Sequence, residues 1–235
     1  MLLNRLLAPL FAATLSQAAL ATDLTLTFDA GPGVADAICT SAPSGVGTPA
    51  LCGNNGYLLQ SYGDVPGLLD VSYLAPRTGS IVTLYWWNTS YNNLFGVVWA
   101  PGGDSDSEAR IDFRPLQEGA VVTLNSFDLG AYANTTRNTT VSIFELGTGN
   151  TLFSYSGPVG NGSLNATAFT PSVSSAKGLR LVWQDSAYNV GVDNISLSIT
   201  PVPEANVLAL AAVGMAVAGL ALRRRNRGNR GNTAA

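Results

Sequence analysis

The chain has 235 residues, 46% hydrophobic and only 11% charged, with 25 Gly, 12 Pro, 2 Cys and no His. That length suits one domain with flanking segments, and the low charge excludes a disordered acidic or basic tail protein. Without histidine, Ser-His-Asp, Cys-His and HExxH chemistry lacks its base or ligand within the chain, which leaves binding, structural and carboxylate chemistry open.

The formal net charge of −3 is unevenly spread. Arg5 lies near the N-terminus and Arg223, Arg224, Arg225, Arg227 and Arg230 near the C-terminus, so residues 22–201 hold six basic side chains against fourteen acidic ones, a net of −8. So acidic and lysine-poor a surface argues against nucleic acid as a partner, because phosphates need a basic face.

Residues 1–21 are expected to be a secretory signal peptide. Arg5 precedes an apolar run from Leu6 to Leu15, and Ala19-Leu20-Ala21 supplies an A-x-A cleavage site. The run is short of the ~20 residues a membrane span needs, which disfavours an N-terminal anchor.

From Thr22 to Thr200 the dominant period is two. Leu24 to Phe28, Arg110 to Arg114, Val141 to Phe144 and Ile195 to Ile199 alternate apolar and polar residues, as half-buried strands do. Further strands are expected at Leu69 to Leu74, Ile81 to Trp87, Leu94 to Trp99, Val121 to Leu129, Thr151 to Tyr155, Ala166 to Thr170 and Leu179 to Trp183. They are short, rich in β-branched and aromatic residues, and separated by Gly, Asn, Pro and Ser clusters. About eleven strands with no amphipathic helix point to an all-β, jelly-roll-like β-sandwich rather than a parallel α/β sheet.

Within this domain, Gly31 to Gly56 is the longest stretch without a pattern, and it contains both cysteines. An exported chain enters an oxidising compartment, so Cys39 and Cys52 are expected to form a disulfide that pins this loop. A catalytic thiol would need an activating partner, and histidine is absent.

Aromatic residues crowd two successive expected strands: Tyr85, Trp86 and Trp87, then Tyr91, Phe95 and Trp99. Aromatic faces pack on the apolar faces of sugar rings, and Trp86, Trp87, Tyr91 and Trp99 are the candidate ligand-binding residues. Alternation sets Trp86 on the opposite face from Tyr85 and Trp87, so some rings must leave the core unless both faces are covered. Core packing is the competing reading for each ring, and Trp183 is assigned to the core.

Two acidic stretches are candidates for cation binding. Asp104, Asp106 and Glu108 alternate in a Gly-Gly-led loop that could turn oxygens toward one ion, although the spacing is not that of an EF-hand and a solvated loop competes. Asp193-Asn194 opens the last strand, where turn chemistry competes with a ligand role. The six Asn-x-Ser/Thr triplets, at Asn88, Asn134, Asn138, Asn161, Asn165 and Asn194, are read as by-products of a composition rich in Asn, Ser and Thr.

With its early Leu26-Thr27-Phe28-Asp29 and its late Asp193-Asn194, the region from Asp23 to Ile199 resembles galactose-binding-like and carbohydrate-binding jelly rolls. The resemblance implies that the first and last strands meet. It also implies a structural calcium near the chain ends, for which Asp29 and Asp193 would begin the ligand set.

Beyond the domain, Val207 to Leu222 is an uninterrupted apolar segment followed by Arg223, Arg224 and Arg225. As a helix it would extend about 24 Å against a hydrocarbon core of about 30 Å, a marginal span completed by flanking residues or bilayer thinning. The arginines place the tail in the cytoplasm and the acidic domain outside it. Val202-Pro203-Glu204, the apolar helix and the arginine cluster together resemble the PEP-CTERM sorting signal of bacterial exosortase substrates. Ala205 stands where that family usually has a second proline. The resemblance implies recognition and cleavage near Pro203-Glu204 by an exosortase, with residues 201–230 as the sorting signal and 231–235 as a polar tail. Permanent anchoring by one C-terminal helix is the alternative.

The expected protein is therefore exported, passing through the inner membrane to the cell surface or extracellular matrix. It is non-enzymatic and binds polysaccharide or other envelope material. A glycan-active enzyme using two carboxylates competes, since Asp and Glu suffice for that chemistry and Glu108, Glu118 and Glu145 are the domain's glutamates. A purely structural domain without a ligand also competes.

Overall fold

Alternating sequence becomes two antiparallel sheets whose inner faces meet. A computed structural model describes residues 21–29, 38–77, 80–103, 107–162, 164–201 and 214–215. The strands are β1 (Thr22–Leu26), β2 (Cys39–Thr40), β3 (Pro49–Ala50), β4 (Gly56–Leu58), β5 (Leu69–Arg77), β6 (Ser80–Val82), β7 (Tyr85–Trp87) and β8 (Val97–Trp99). They continue with β9 (Glu108–Pro115), β10 (Val121–Ala131), β11 (Arg137–Glu145), β12 (Thr151–Val159), β13 (Thr167–Phe169), β14 (Val173–Ser175), β15 (Leu179–Gln184) and β16 (Val190–Thr200). A ten-stranded sheet runs β13-β10-β16-β8-β7-β4-β2-β3, with β1 also on β16 and β14 also on β10; a six-stranded sheet runs β12-β11-β15-β9-β5-β6.

The expected signal peptide up to Leu20 lies outside the described residues, as does the expected sorting signal beyond Pro201 apart from Gly214 and Met215. No helix among the described residues is long and apolar enough to cross a membrane.

The first and last strands do meet. β1 pairs with β16 from Thr22↔Ile199 to Leu26↔Ile195. On its other side β16 pairs with β10 from Val121↔Thr200 to Ala131↔Val190, with two register shifts between Leu124 and Asp128. These shifts change which residues face inward, so Val122 and Leu124 are buried and then Phe127 and Leu129. In β16 the same change falls at Asp193-Asn194, with Asn194 at φ 52°, and the core row passes from Val190 and Val192 to Ile195, Leu197 and Ile199. From the other sheet, Tyr73, Ile111, Phe113, Val141, Ile143, Leu181 and Trp183 complete the core. Trp183 is fully buried, as its sequence setting suggested, and its Nε1 donates to the Val190 carbonyl at 2.8 Å.

Two sequence expectations need correcting. Ile81 to Trp87 is not one strand: β6 pairs with β5 in the six-stranded sheet, whereas β7 pairs with β4 and β8 in the other. The chain changes sheets through buried Thr83 and Leu84, where Thr83 Oγ1 donates to the Leu58 carbonyl at 3.0 Å and the Leu58 amide donates to the Leu84 carbonyl at 2.8 Å. Leu94 to Trp99 shortens to β8, because Tyr91 to Leu94 closes into a turn with the Leu94 amide on the Tyr91 carbonyl at 3.2 Å.

The unpatterned stretch around the cysteines supplies the tapering end of the ten-stranded sheet. Cys39 pairs with Ala50 and with Leu58, and Thr40 with Pro49 and Tyr57. The expected disulfide Cys39–Cys52 is formed, with Cα atoms 5.2 Å apart, and it is the bond of an extracytoplasmic protein. Strands two residues long bury too little to hold themselves, so the cross-link carries part of the work. Reduction, or the C39A/C52A variant, is expected to lower the unfolding free energy by about 3 kcal/mol in urea titrations, the entropy of closing a loop of this size. An unchanged midpoint would mean that strand pairing alone holds the loop.

Candidate functional site

Pleating places Trp86 and Val98 on the inner face of the ten-stranded sheet, and Tyr85, Trp87, Val97 and Trp99 on the outer face. Trp86 is a core residue, 3% exposed, with Nε1 donating to the Phe28 carbonyl at 2.7 Å. Of the four candidate ligand-binding rings it thus stands apart, while Trp87, Tyr91 and Trp99 come together.

Around those three, the fold gathers Tyr57, Tyr132 and Tyr188, rings that are remote in sequence. Centroid contacts run Tyr57–Tyr85 at 5.0 Å, Tyr85–Trp99 at 5.3 Å, Trp99–Tyr188 at 5.2 Å and Trp99–Trp87 at 6.4 Å. They continue Trp87–Tyr132 at 5.6 Å and Tyr132–Tyr91 at 5.4 Å. Most meet edge to face, the arrangement the ring quadrupole favours. Phe95, also in the sequence cluster, is 65% exposed and makes none of these ring contacts.

Close backbone approach makes the cluster possible. A Cβ on Gly191 would lie 2.6 Å from Val97 and 3.1 Å from the Tyr91 ring, and one on Gly130 would lie 2.4 Å from the Tyr91 carbonyl. The loop carrying Tyr91 therefore lies flat on β10 and β16. Asn92 fastens it, accepting from the Ala131 amide at 2.6 Å and donating to the Thr135 carbonyl at 3.1 Å.

Between the rings is a cleft of about 140 Å³ lined by Asn55, Trp87, Tyr91, Trp99, Tyr132, Tyr188 and Asn189. It is smaller than the roughly 300–1,000 Å³ of enclosing ligand pockets, so it suits one ring laid on a surface. No charged residue lines it. Trp99 is 5% exposed, and its Nε1 is buried with no hydrogen-bond partner among the described residues. An orphaned donor of this kind costs about 1–3 kcal/mol and calls for a reason. Tyr188, at 41% exposure, is the ring most open to solvent.

A larger depression, about 400 Å³, lies on the outer face of the six-stranded sheet and is lined among others by Glu108, Arg110, Glu145 and Arg180. Its carboxylates are already engaged. Glu108 is paired with Arg110, and Arg180 holds Asp112 through two bonds at 2.6 and 2.7 Å. Hydrogen bonds from Thr148 and Ser175, helped by Lys177, hold the Glu145 carboxyl below its ordinary range. Glu118 is exposed in the β9–β10 turn.

Asp29 follows Phe28, whose amide bonds Asp193, and the two carboxyls lie near enough to repel one another. Asp193 is 2% exposed and its Oδ1 accepts from the Phe28 amide at 3.1 Å and the Asn194 amide at 2.7 Å. Burial pushes its carboxyl up to about 7 against those bonds, with Asp29 and Asp128 adding repulsion. Burial also raises Asp29. Calcium takes six to eight oxygens, and no group of three or more acidic or cysteine side chains among the described residues is placed to hold a metal. Asp104 and Asp106 lie outside the described residues.

No protein-family profile matches the chain, and no curated protein does. Among solved structures it is similar to the Podospora anserina GH26-CBM35 β-(1,4)-mannanase, at 14% identity and TM-score 0.32 over 55% of this chain and 28% of that one. It is similar to a CBM4 structure at 14% identity and TM-score 0.25, over 62% and 83% of the two chains. The exo-β-1,3-galactanase of Phanerochaete chrysosporium matches at 12% identity and TM-score 0.29, over 65% and 30%. This chain spans less than a third of the mannanase and the galactanase. The likeness is distant and concerns the β-sandwich alone.

The buried carboxyl has a measurable consequence. Below pH ~4 Asp193 is protonated in both folded and unfolded chains; from there to pH about 7 only the unfolded chain ionises. Its contribution to stability is full below pH ~4, is lost as pH rises through about 7, and is constant above. D193N keeps an oxygen for both amides, so its melting temperature is expected to lack this fall and to exceed that of the wild type above pH 7. Parallel pH profiles of the two proteins would refute the assignment.

Proposed function

We propose that this chain is an exported, non-enzymatic bacterial surface or matrix protein whose sandwich binds a neutral polysaccharide on the outer face of the ten-stranded sheet. The carrying observation is the uncharged cleft lined by the rings of Trp87, Tyr91, Trp99, Tyr132 and Tyr188. Ring faces match the apolar faces of sugars, and Asn55 and Asn189 line the same cleft with amides that can both donate and accept. A domain of net charge −8 repels acidic polymers, so the ligand class is neutral glycan. The cleft is lined by no carboxylate, and it is a paired carboxylate that glycoside hydrolysis ordinarily requires, which favours binding over turnover. We read the sandwich as jelly-roll-like because its first and last strands are neighbours.

For the address, the support is the sequence order Val202-Pro203-Glu204, Val207 to Leu222, Arg223-Arg224-Arg225, together with the disulfide. An exosortase would take the chain from an inner-membrane intermediate to the surface or matrix.

Two measurements test these claims. In affinity electrophoresis through neutral polysaccharides, W87A and Y188A are each expected to weaken retention about ten-fold, the loss of one stacking ring. Equal retention of wild type and variants would move the site elsewhere. Co-expression with an exosortase is expected to shorten the chain near Pro203-Glu204, and P203A/E204A to leave it full length. Identical membrane-bound products with and without the enzyme would instead favour a permanent anchor.

A further inference from the structure

We propose that β12 is a self-association edge, at which a second copy of this chain adds its own β12 antiparallel and joins two six-stranded sheets into one. The inference is independent of the sugar-binding reading.

β12 runs nine residues, Thr151–Val159, and pairs with β11 from Arg137↔Val159 to Phe144↔Thr151, in register from Val159 to Phe153 and with one register shift that leaves Leu152 unpaired near its start. Among the described residues no strand pairs along its other side. Such an edge presents a row of amide and carbonyl groups ready to pair, and proteins ordinarily blunt it with shortness, charge or proline. The other edges are blunted: β3 is two residues and starts with Pro49, β6 and β13 are three residues each, and β1, paired only with β16, is five residues and carries Asp23. β12 is long, and Thr151 to Gly157 contains neither a charge nor a proline. The pairable stretch stops at Pro158, whose carbonyl is already taken by the Tyr155 hydroxyl at 2.7 Å.

Charge selects the occupant. Two copies of a domain with net charge −8 repel over most of their surfaces, but at β12 neither brings a charge. The strand is also held firm, since Phe153 and Tyr155 pack on Phe169 at centroid distances of 6.2 and 5.0 Å. On the opposite side Ser154 and Ser156 are exposed and lie against Ser142 and Thr140 of β11, at 3.5 and 3.4 Å between hydroxyl oxygens. An antiparallel pairing centred on Tyr155 sets Ser154 of each copy against Ser156 of the other. The hydroxyl row then continues across a two-fold axis. Such a contact is self-complementary and closed, and it yields a dimer rather than a filament.

Hydrogen exchange of the full-length chain in mild detergent, at high and low protein concentration, tests this, with sedimentation alongside. The amides of residues 151–157 are expected to be protected in concentrated solution and to exchange about ten-fold faster on dilution, as the dimer dissociates. S154K/S156K is expected to sediment as a monomer with no concentration dependence. S142K adds a lysine to the same face on the interior strand β11 and is expected to keep the dimer. Exchange in wild-type β12 that ignores concentration would overturn the proposal, either fast because the edge stays free or slow because another part of the same chain covers it. Equal loss of the dimer in S142K would also overturn it, pointing to the face and not the edge. If S154K/S156K fails to fold, the wild-type dilution series decides alone.

Discussion

The sandwich depends on the placement of β16 between β10 on one side and β1 with β8 on the other. No single strand could serve all three partners without a step, because β1 occupies the side of Ile195 to Ile199 and β8 meets Val192. The step is Asp193-Asn194, with Asn194 in the left-handed region that asparagine tolerates better than most residues. Phe28 locks it from the first strand's exit. Its amide donates to Asp193, its carbonyl accepts from Trp86 Nε1, and a Cβ on Gly96 would lie 1.9 Å from that carbonyl. The chain's beginning, its aromatic strands and its last strand are thus tied at one residue, at the cost of burying a carboxyl.

From this junction the outer face of the ten-stranded sheet divides in two. Along Ile195 to Ile199 it is hydroxyl-rich and self-satisfied: Thr123 bonds Ser174 at 2.8 Å, Asn125 donates to Ser198, and Ser198 donates to Asp23 at 2.7 Å. Along Val190 to Val192 the small side of Gly191 admits the Tyr91 loop, and the face becomes aromatic. Polar groups that satisfy one another have little to offer a ligand. The aromatic half instead holds an uncharged cleft between its rings.

The all-β class and the cysteine pairing were legible in the sequence, because period-two alternation and two lone cysteines each admit few solutions, whereas the meeting of first and last strands came only from the resemblance to carbohydrate-binding jelly rolls. Trp183 was legible as core because β-sandwiches commonly bury a tryptophan. The run from Ile81 to Trp87 was misleading: its apolar continuity is real, but it serves two sheets in turn, and no local signal marks the change at Thr83-Leu84. The ring trio Trp87, Tyr91 and Trp99 was found because it is local. Tyr57, Tyr132 and Tyr188 were not, because they come from β4, from the end of β10 and from the β15–β16 turn, and only the tertiary pairing brings them together. Pleating alone could say that Trp86 and Trp87 face apart, but not which of them the second sheet covers.

The central claim is that the cleft beside Trp99 receives a neutral sugar ring. Saturation-transfer and chemical-shift NMR of the protein with soluble neutral oligosaccharides tests it most directly. The account predicts that the perturbed signals centre on the side chains of Trp87, Trp99, Tyr132 and Tyr188. Perturbations centred on Arg110, Phe144 and Arg180 of the six-stranded sheet, with the aromatic cleft unchanged, would contradict it.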